Sequence, residues 1–83
     1  MSFLIEWDEK ALDYLKKLPL DISTRITKKL DVIKENPLRY LRHYEGEYYK
    51  VRIGDFRALV DVDFSKKILI IQIFDKRGRI YKR

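Results

Sequence analysis

Apolar residues recur along this chain with two different periods. Phe3, Ile5 and Trp7 alternate through a short, aromatic-rich run that predicts a strand. From Asp8 the period lengthens. Ala11, Leu12, Leu15 and Leu18 form a stripe at helical spacing, Asp8 is placed to cap the first turn, and Pro19 ends the helix. A second helix opens at Asp21 or Ser23, carries the stripe Ile22, Ile26, Leu30 and Ile33, and stops at Asn36-Pro37. Two amphipathic helices joined by a short turn make a helical hairpin.

Residues 38–47 have no clean period and read as a connection. The strand period then returns in three runs, Tyr48 to Ile53, Phe56 to Asp63 and Lys67 to Phe74. Gly54-Asp55 joins the first two as a two-residue loop of the kind that makes a tight hairpin. The predicted order is β-α-α-β-β-β. It implies an α+β fold in a single small domain spanning residues 1–83, an antiparallel sheet with the helical hairpin packed on one face.

The short loop also fixes which side chains meet. With Ile53 paired to Phe56, Arg52 lies opposite Arg57 and Lys50 opposite Leu59, while Val51, Ile53, Phe56, Ala58 and Val60 point into the core. The same parity carried through the next turn puts Leu69, Ile71 and Ile73 on the core face, with Gln72 and Phe74 beside Arg57. Like charges directly opposite on a sheet cost about 0.2–1 kcal/mol. The nearest compensating carboxylate on that face is Asp61, with Asp63 a second candidate, both further along the strand. An anion would relieve the repulsion, and phosphate matches the forked donors of Arg. The alternative is a solvated face on which the long side chains splay apart.

Composition narrows the chemistry. Eighty-three residues, 46% of them apolar, suffice for one core. There are no cysteines and one histidine, which excludes disulfides, thiolate metal sites and the usual zinc and His-based acid–base sets. No run approaches the roughly 20 apolar residues of a membrane span. The start, Met-Ser-Phe-Leu-Ile-Glu-Trp, lacks the pattern of a signal peptide. A cytoplasmic protein with no cofactor and no membrane partner is expected.

The net charge of +6 is concentrated at the end, where Lys76, Arg77, Arg79, Lys82 and Arg83 follow Asp75. A basic tail beside a cationic hairpin suits a nucleic-acid backbone. Tyr81, among these cations, can stack on a base, move a proton or anchor the tail by packing. With no metal cluster and no carboxylate pair at catalytic spacing, two-metal phosphodiester hydrolysis is not expected. RNA, however, carries its own nucleophile. Cations can align the 2′-hydroxyl with the adjacent phosphate and stabilise the pentavalent dianion, leaving a 2′,3′-cyclic phosphate, a route closed to DNA.

Four stretches together resemble the RelE toxins of the RelE/ParE superfamily, of the archaeal type. They are Phe3-x-Ile5-x-Trp7-x-x-x-Ala11-x-x-x-Leu15-x-x-Leu18, then Asn36-Pro37, then Tyr49-Lys50-Val51-Arg52-Ile53-Gly54-Asp55-Phe56-Arg57, and finally Lys76-Arg77-x-x-x-Tyr81. The likeness runs through nearly the whole chain. It implies a metal-independent endoribonuclease that enters the ribosomal A site, cuts mRNA there and so inhibits translation. It also implies a cognate RelB-like antitoxin that holds the toxin inactive, in a complex that binds operator DNA.

Carried over by position, Lys50 and Arg52 contact and orient the mRNA phosphates and are candidates to share the base role. Arg57 stabilises the scissile phosphate, Arg77 protonates or stabilises the leaving oxygen, and Tyr81 stacks on or activates the nucleotide. Lys76, Arg79, Lys82 and Arg83 add RNA contacts. Many relatives have His near the end of the last strand, where this chain has Asp75-Lys76-Arg77. His43 does not match that position and reads as a surface or packing residue. The general base is therefore left open. Two rivals stand beside this reading: a ParE-like toxin acting on DNA gyrase, and a non-catalytic nucleic-acid-binding regulator. Arg57, Arg77 and Tyr81 occurring together argue against the first.

Overall fold

The computed structural model describes residues 2–46 and 48–76. Strand β1 (Leu4–Trp7) ends at Asp8, whose extended backbone and carboxylate cap α1 (Glu9–Lys16), accepting the Lys10 N–H at 3.1 Å. Pro19 does more than stop that helix. Its carbonyl accepts the N–H groups of Ile22 and Ser23, both at 3.0 Å, so α2 (Leu20–Glu35) begins directly after it rather than at Asp21 or Ser23. Leu20 is 81% exposed and adds nothing to the apolar stripe, which is why the pattern hides this first turn. Asn36 ends α2, and Pro37–Arg39 forms one 3-10 turn.

The stretch expected to be a connection contains a strand, β2 (Arg42–Glu45). It is short, sits at the sheet edge and is interrupted by a bulge between His43 and Glu45, so it never shows a strand's apolar alternation. Strands β3 (Tyr48–Ile53), β4 (Phe56–Asp63) and β5 (Ile68–Lys76) follow. The spatial order is β1-β5-β4-β3-β2.

The α+β class and the helical hairpin on one face are as the pattern implies. The sheet, however, is mixed: β1 runs parallel to β5, from Leu4 opposite Ile68 to Trp7 opposite Ile71. Parallel strands need a crossover, and here the chain leaves β1 through both helices before returning to pair with it. Ala11, Leu15, Ile26, Leu30 and Ile33 of the helices bury against Val51, Ala58, Val60, Leu69 and Ile71 of the sheet.

The β3–β4 register is the expected one throughout, with Ile53 opposite Phe56 and Arg52 opposite Arg57. Gly54 has φ +60 and Asp55 does not share the positive φ, the pattern of a II′ hairpin turn. A Cβ at Gly54 would meet nothing within 4 Å, so any cost of adding one is backbone strain. Gly54→Ala is expected to lower unfolding free energy by roughly 1–2 kcal/mol, measured by urea titration. An unchanged midpoint would contradict this turn geometry.

The β4–β5 register differs from expectation. Leu59 faces Ile73 but Val60 faces Ile71, leaving Gln72 as an extra residue in β5. A bulge of this kind reverses the parity of everything after it. Phe74, expected beside Arg57, is therefore in the core at 3% exposure, and Ile73, expected in the core, is 48% exposed. Phe74 stacks on Phe56 at 5.3 Å and meets Trp7 and Tyr14 edge-on at 5.5 and 5.9 Å.

Candidate nucleic-acid interface

The helices occupy one face of the sheet, and among the described residues no element covers the other. Burial of Val51, Ile53, Phe56 and Ala58 beneath the helices fixes the outward direction of their neighbours Lys50, Arg52 and Arg57. Arg52 and Arg57 are directly opposite, which places their Cβ atoms about 4.5–5.5 Å apart. The edge strand adds a cation missed in the sequence: Arg42 pairs with Lys50 and so lies on the same face. The signal that could have revealed it is Gly46, whose φ of +58 turns β2 into β3.

Tyr40, Arg42, Lys50, Val51, Arg52 and Arg57 line a hollow of about 210 Å³. That is below the roughly 300–1,000 Å³ of clefts that enclose drug-sized ligands, so the space suits a phosphodiester group better than a whole nucleotide. Lys50 Nζ lies 5.7 Å from the centre of the Tyr44 ring, a cation–π contact that restrains the ammonium at the rim. Leu59, on this outer face rather than in the helix-side core, is still only 8% exposed, so these long side chains cover an apolar floor.

Asp61 lies on the outer face as the pattern implies, further along β4 and opposite Tyr48 and Ile70, too far along to meet the Arg52–Arg57 pair directly. Asp63 serves the β4–β5 turn, accepting Ser65 Oγ at 2.8 Å and the Lys66 N–H at 3.0 Å. These bonds, the Lys66 backbone donor first, hold its carboxyl below the ordinary aspartate value of 3.8. A carboxyl lowered on folding adds stability above the unfolded value and loses it as the pH falls through the folded one. An NMR titration is expected to place the Asp63 midpoint below 3.8, and Ser65→Ala is expected to raise it; a wild-type midpoint at or above 3.8 would contradict the turn's bonding.

The carboxylate that does face the cations is Asp75, brought opposite Arg57 by the bulge at Gln72. Lys76 pairs with Phe56, on the helix side of the ladder, so the register does not bring it to the Arg52–Arg57 pair. Arg77, Arg79, Tyr81, Lys82 and Arg83 lie outside the described residues. His43 faces away from Arg42: its Nε2–H donates to the Gly46 carbonyl at 2.7 Å and its ring packs edge-on to Tyr49. Among the described residues no three His, Cys, Asp or Glu side chains converge as metal ligands would, and no helix is long and apolar enough to cross a membrane.

A sequence model of the family described as the ParE toxin of type II toxin–antitoxin systems matches residues 5–81. This chain belongs to the RelE/ParE superfamily of type II toxins. A Methanocaldococcus jannaschii protein described as a candidate toxin, RelE1, is 31% identical over 88 aligned positions, spanning 99% of this chain and 98% of that protein.

The toxin–antitoxin complex RelBE2 of Mycobacterium tuberculosis contains a chain with the same fold, at a TM-score of 0.83 and 21% identity, covering 93% of this chain and 100% of that one. The archaeal RelE–RelB complex of Pyrococcus horikoshii OT3 gives 0.76 and 22%, covering 95% and 99%. Isolated E. coli RelE gives 0.74 and 22%, covering 96% and 92%. The chain is thus a RelE-like toxin in fold, and its cationic hollow lies on the sheet face opposite the helical hairpin.

Proposed function

We propose that this RelE-like toxin is a ribosome-dependent endoribonuclease that cuts mRNA in the A site, using the RNA 2′-hydroxyl as nucleophile and no metal. The observation that carries the reading is the convergence of Arg42, Lys50, Arg52 and Arg57 on one shallow hollow of the open sheet face. Lys50 and Arg52 hold the phosphate of the scissile linkage. Arg57 stabilises the charge that grows on its oxygens during attack, from a strand whose partners fix it in place beforehand. Arg77 stabilises the leaving 5′-oxygen and Tyr81 stacks on the neighbouring nucleotide, roles that rest on the family motif alone. The products are a 2′,3′-cyclic phosphate and a 5′-hydroxyl.

The solved RelE chains in complexes with RelB antitoxins support a partner of the same type here. An acidic antitoxin segment would offset the +6 charge and cover the apolar residues Ile68, Ile70 and Ile73 of the outer face. In this reading the toxin acts in the cytoplasm, and its complex with antitoxin binds operator DNA. The test is to add purified toxin to a translating extract and map mRNA ends by primer extension. New ends within A-site codons, on fragments carrying a 2′,3′-cyclic phosphate, are expected. Uncut mRNA would overturn the reading.

One observation favours a second reading. The matching family is described by its ParE members, so action on DNA gyrase is the rival. Inhibition of gyrase supercoiling by the purified toxin, with mRNA left intact, would select it.

A further inference from the structure

We propose that Asp75 is the general base of this reaction, the group that takes the proton of the attacking 2′-hydroxyl; this rests on the ribonuclease reading above. The cations of the hollow bind and stabilise well, but protonated Lys and Arg have no lone pair with which to accept a proton. Attack on the phosphate needs an acceptor on the side from which the 2′-oxygen approaches. Asp75 is the carboxylate that the sheet register sets directly across from Arg57. Their Cβ atoms are therefore about 4.5–5.5 Å apart, close enough for both side chains to meet one nucleotide. Its orientation is also fixed, since Oδ1 accepts the Lys76 N–H at 2.7 Å.

The order of strands gives the reaction a direction. Across the outer face run Arg42 on β2, Lys50 and Arg52 on β3, Arg57 on β4 and Asp75 on β5. Neighbouring strands are about 4.8 Å apart. Lys50 lies two residues along β3 from Arg52, so Asp75 and the Lys50 ammonium flank Arg57 along a diagonal of the sheet. A phosphate held by Arg57 on that diagonal would have a carboxylate on one side and an ammonium on the other. In-line displacement has the same polarity, with a base at the entering oxygen and an acid at the leaving one.

A second hollow, of about 310 Å³, opens on the Asp75 side, its walls including Asp8, Lys10, Tyr14, Gln72, Ile73 and Asp75. It reaches the lower end of the range for enclosed small ligands and would seat the nucleotide that carries the attacking hydroxyl. Among the described residues, the charged groups around Asp75 include Arg57 from β4 and Asp8 and Lys10 from the start of α1.

The step balances without water. Asp75 takes the 2′-hydroxyl proton as the O2′–P bond forms, and the P–O5′ bond breaks. The leaving oxygen takes a proton from the Lys50 ammonium, and the two side chains then exchange protons with solvent.

The test measures single-turnover cleavage of mRNA on programmed ribosomes by the full chain, from about pH 6 to pH 8. The variants are Asp75→Asn and Asp75→Glu, each checked for folding by thermal melting. Removing a general base is expected to slow cleavage about 10²–10⁴-fold, with ribosome affinity unchanged or tighter. The wild-type rate is expected to be flat over this range. The Asp75→Asn rate should climb about tenfold per pH unit, because hydroxide is then the remaining base. Asp75→Glu should retain more activity than Asp75→Asn.

An Asp75→Asn variant within about threefold of wild type, or a slow one with the wild type's flat profile and weakened binding, would overturn the proposal. Those results would leave the ribonuclease reading standing. A wild-type protein that cuts nothing would bring down both.

Discussion

Replacing Arg57 with alanine is expected to slow mRNA cleavage on the ribosome by about 10²–10³-fold, the usual cost of deleting one fixed donor aimed at developing charge. The reasoning starts from the ladder. Arg57 is half-buried between Arg52 on one side and Asp75 on the other, and its strand neighbours Phe56 and Ala58 are in the core. The guanidinium is therefore delivered to a defined place before RNA arrives, so its stabilisation of the transition state needs little reorganisation.

Arg57→Lys separates this from simple electrostatic attraction. It keeps the charge and loses the fork. Binding to RNA should stay near the wild-type level with a similar salt dependence, while cleavage falls. Filter binding of RNA gives the first quantity and primer extension in a translating extract the second. Equal cutting by wild type and Arg57→Ala would remove Arg57 from the mechanism. RNA binding by all three proteins without cutting by any would select the non-catalytic regulator.

The second large effect is on stability. Phe74→Ala is expected to cost about 3–5 kcal/mol, because it leaves a void among Trp7, Tyr14 and Phe56. Adjacent Ile73→Ala, at a site 48% exposed, should change stability by only about 0.5 kcal/mol. Domains of this kind hold roughly 5–15 kcal/mol in total, so the first change removes a large share of it. Urea unfolding of the two variants measures the difference. An unbroken alternation in β5 predicts the opposite ranking, so a larger loss from Ile73→Ala would show that the bulge at Gln72 is absent.

These two predictions also mark where the sequence is readable. The pairing of Arg52 with Arg57 follows from a two-residue loop with glycine, because that geometry leaves the strands no freedom to slide. The helices follow from stripes that only one face can bury. Three features escape. The strand β2 is an edge element whose Arg42, His43 and Glu45 satisfy backbone pairing without any apolar alternation. The parallel partnership of β1 escapes because four residues carry no mark of which strand they will meet.

The bulge escapes for a different reason. Ile71, Gln72, Ile73 and Phe74 contain apolar residues at both parities, so either face is acceptable until packing decides. Phe74 decides it, since only the helix side offers three aromatic rings to receive it. Unbroken alternation puts Asp75 on the core side, which hides it as the partner of Arg57 and leaves Asp61 and Asp63 as the nearest carboxylates on the outer face. Arg77 and Tyr81 owe their proposed roles to the family motif, and nothing in their spacing alone distinguishes a catalytic tail from a basic one.

The extra residue in β5 has an evolutionary corollary. Losing the single codon for Gln72 would close the bulge and leave the pairs on either side as they are, Ile71 with Val60, Ile73 with Leu59, Phe74 with Ala58 and Asp75 with Arg57. The ring would keep its place beneath the helices and the acid its place on the open face. A lineage carrying this toxin could thus lengthen or shorten β5 by an in-frame slip at this one position, with Arg42, Lys50, Arg52, Arg57 and Asp75 all still sharing one face.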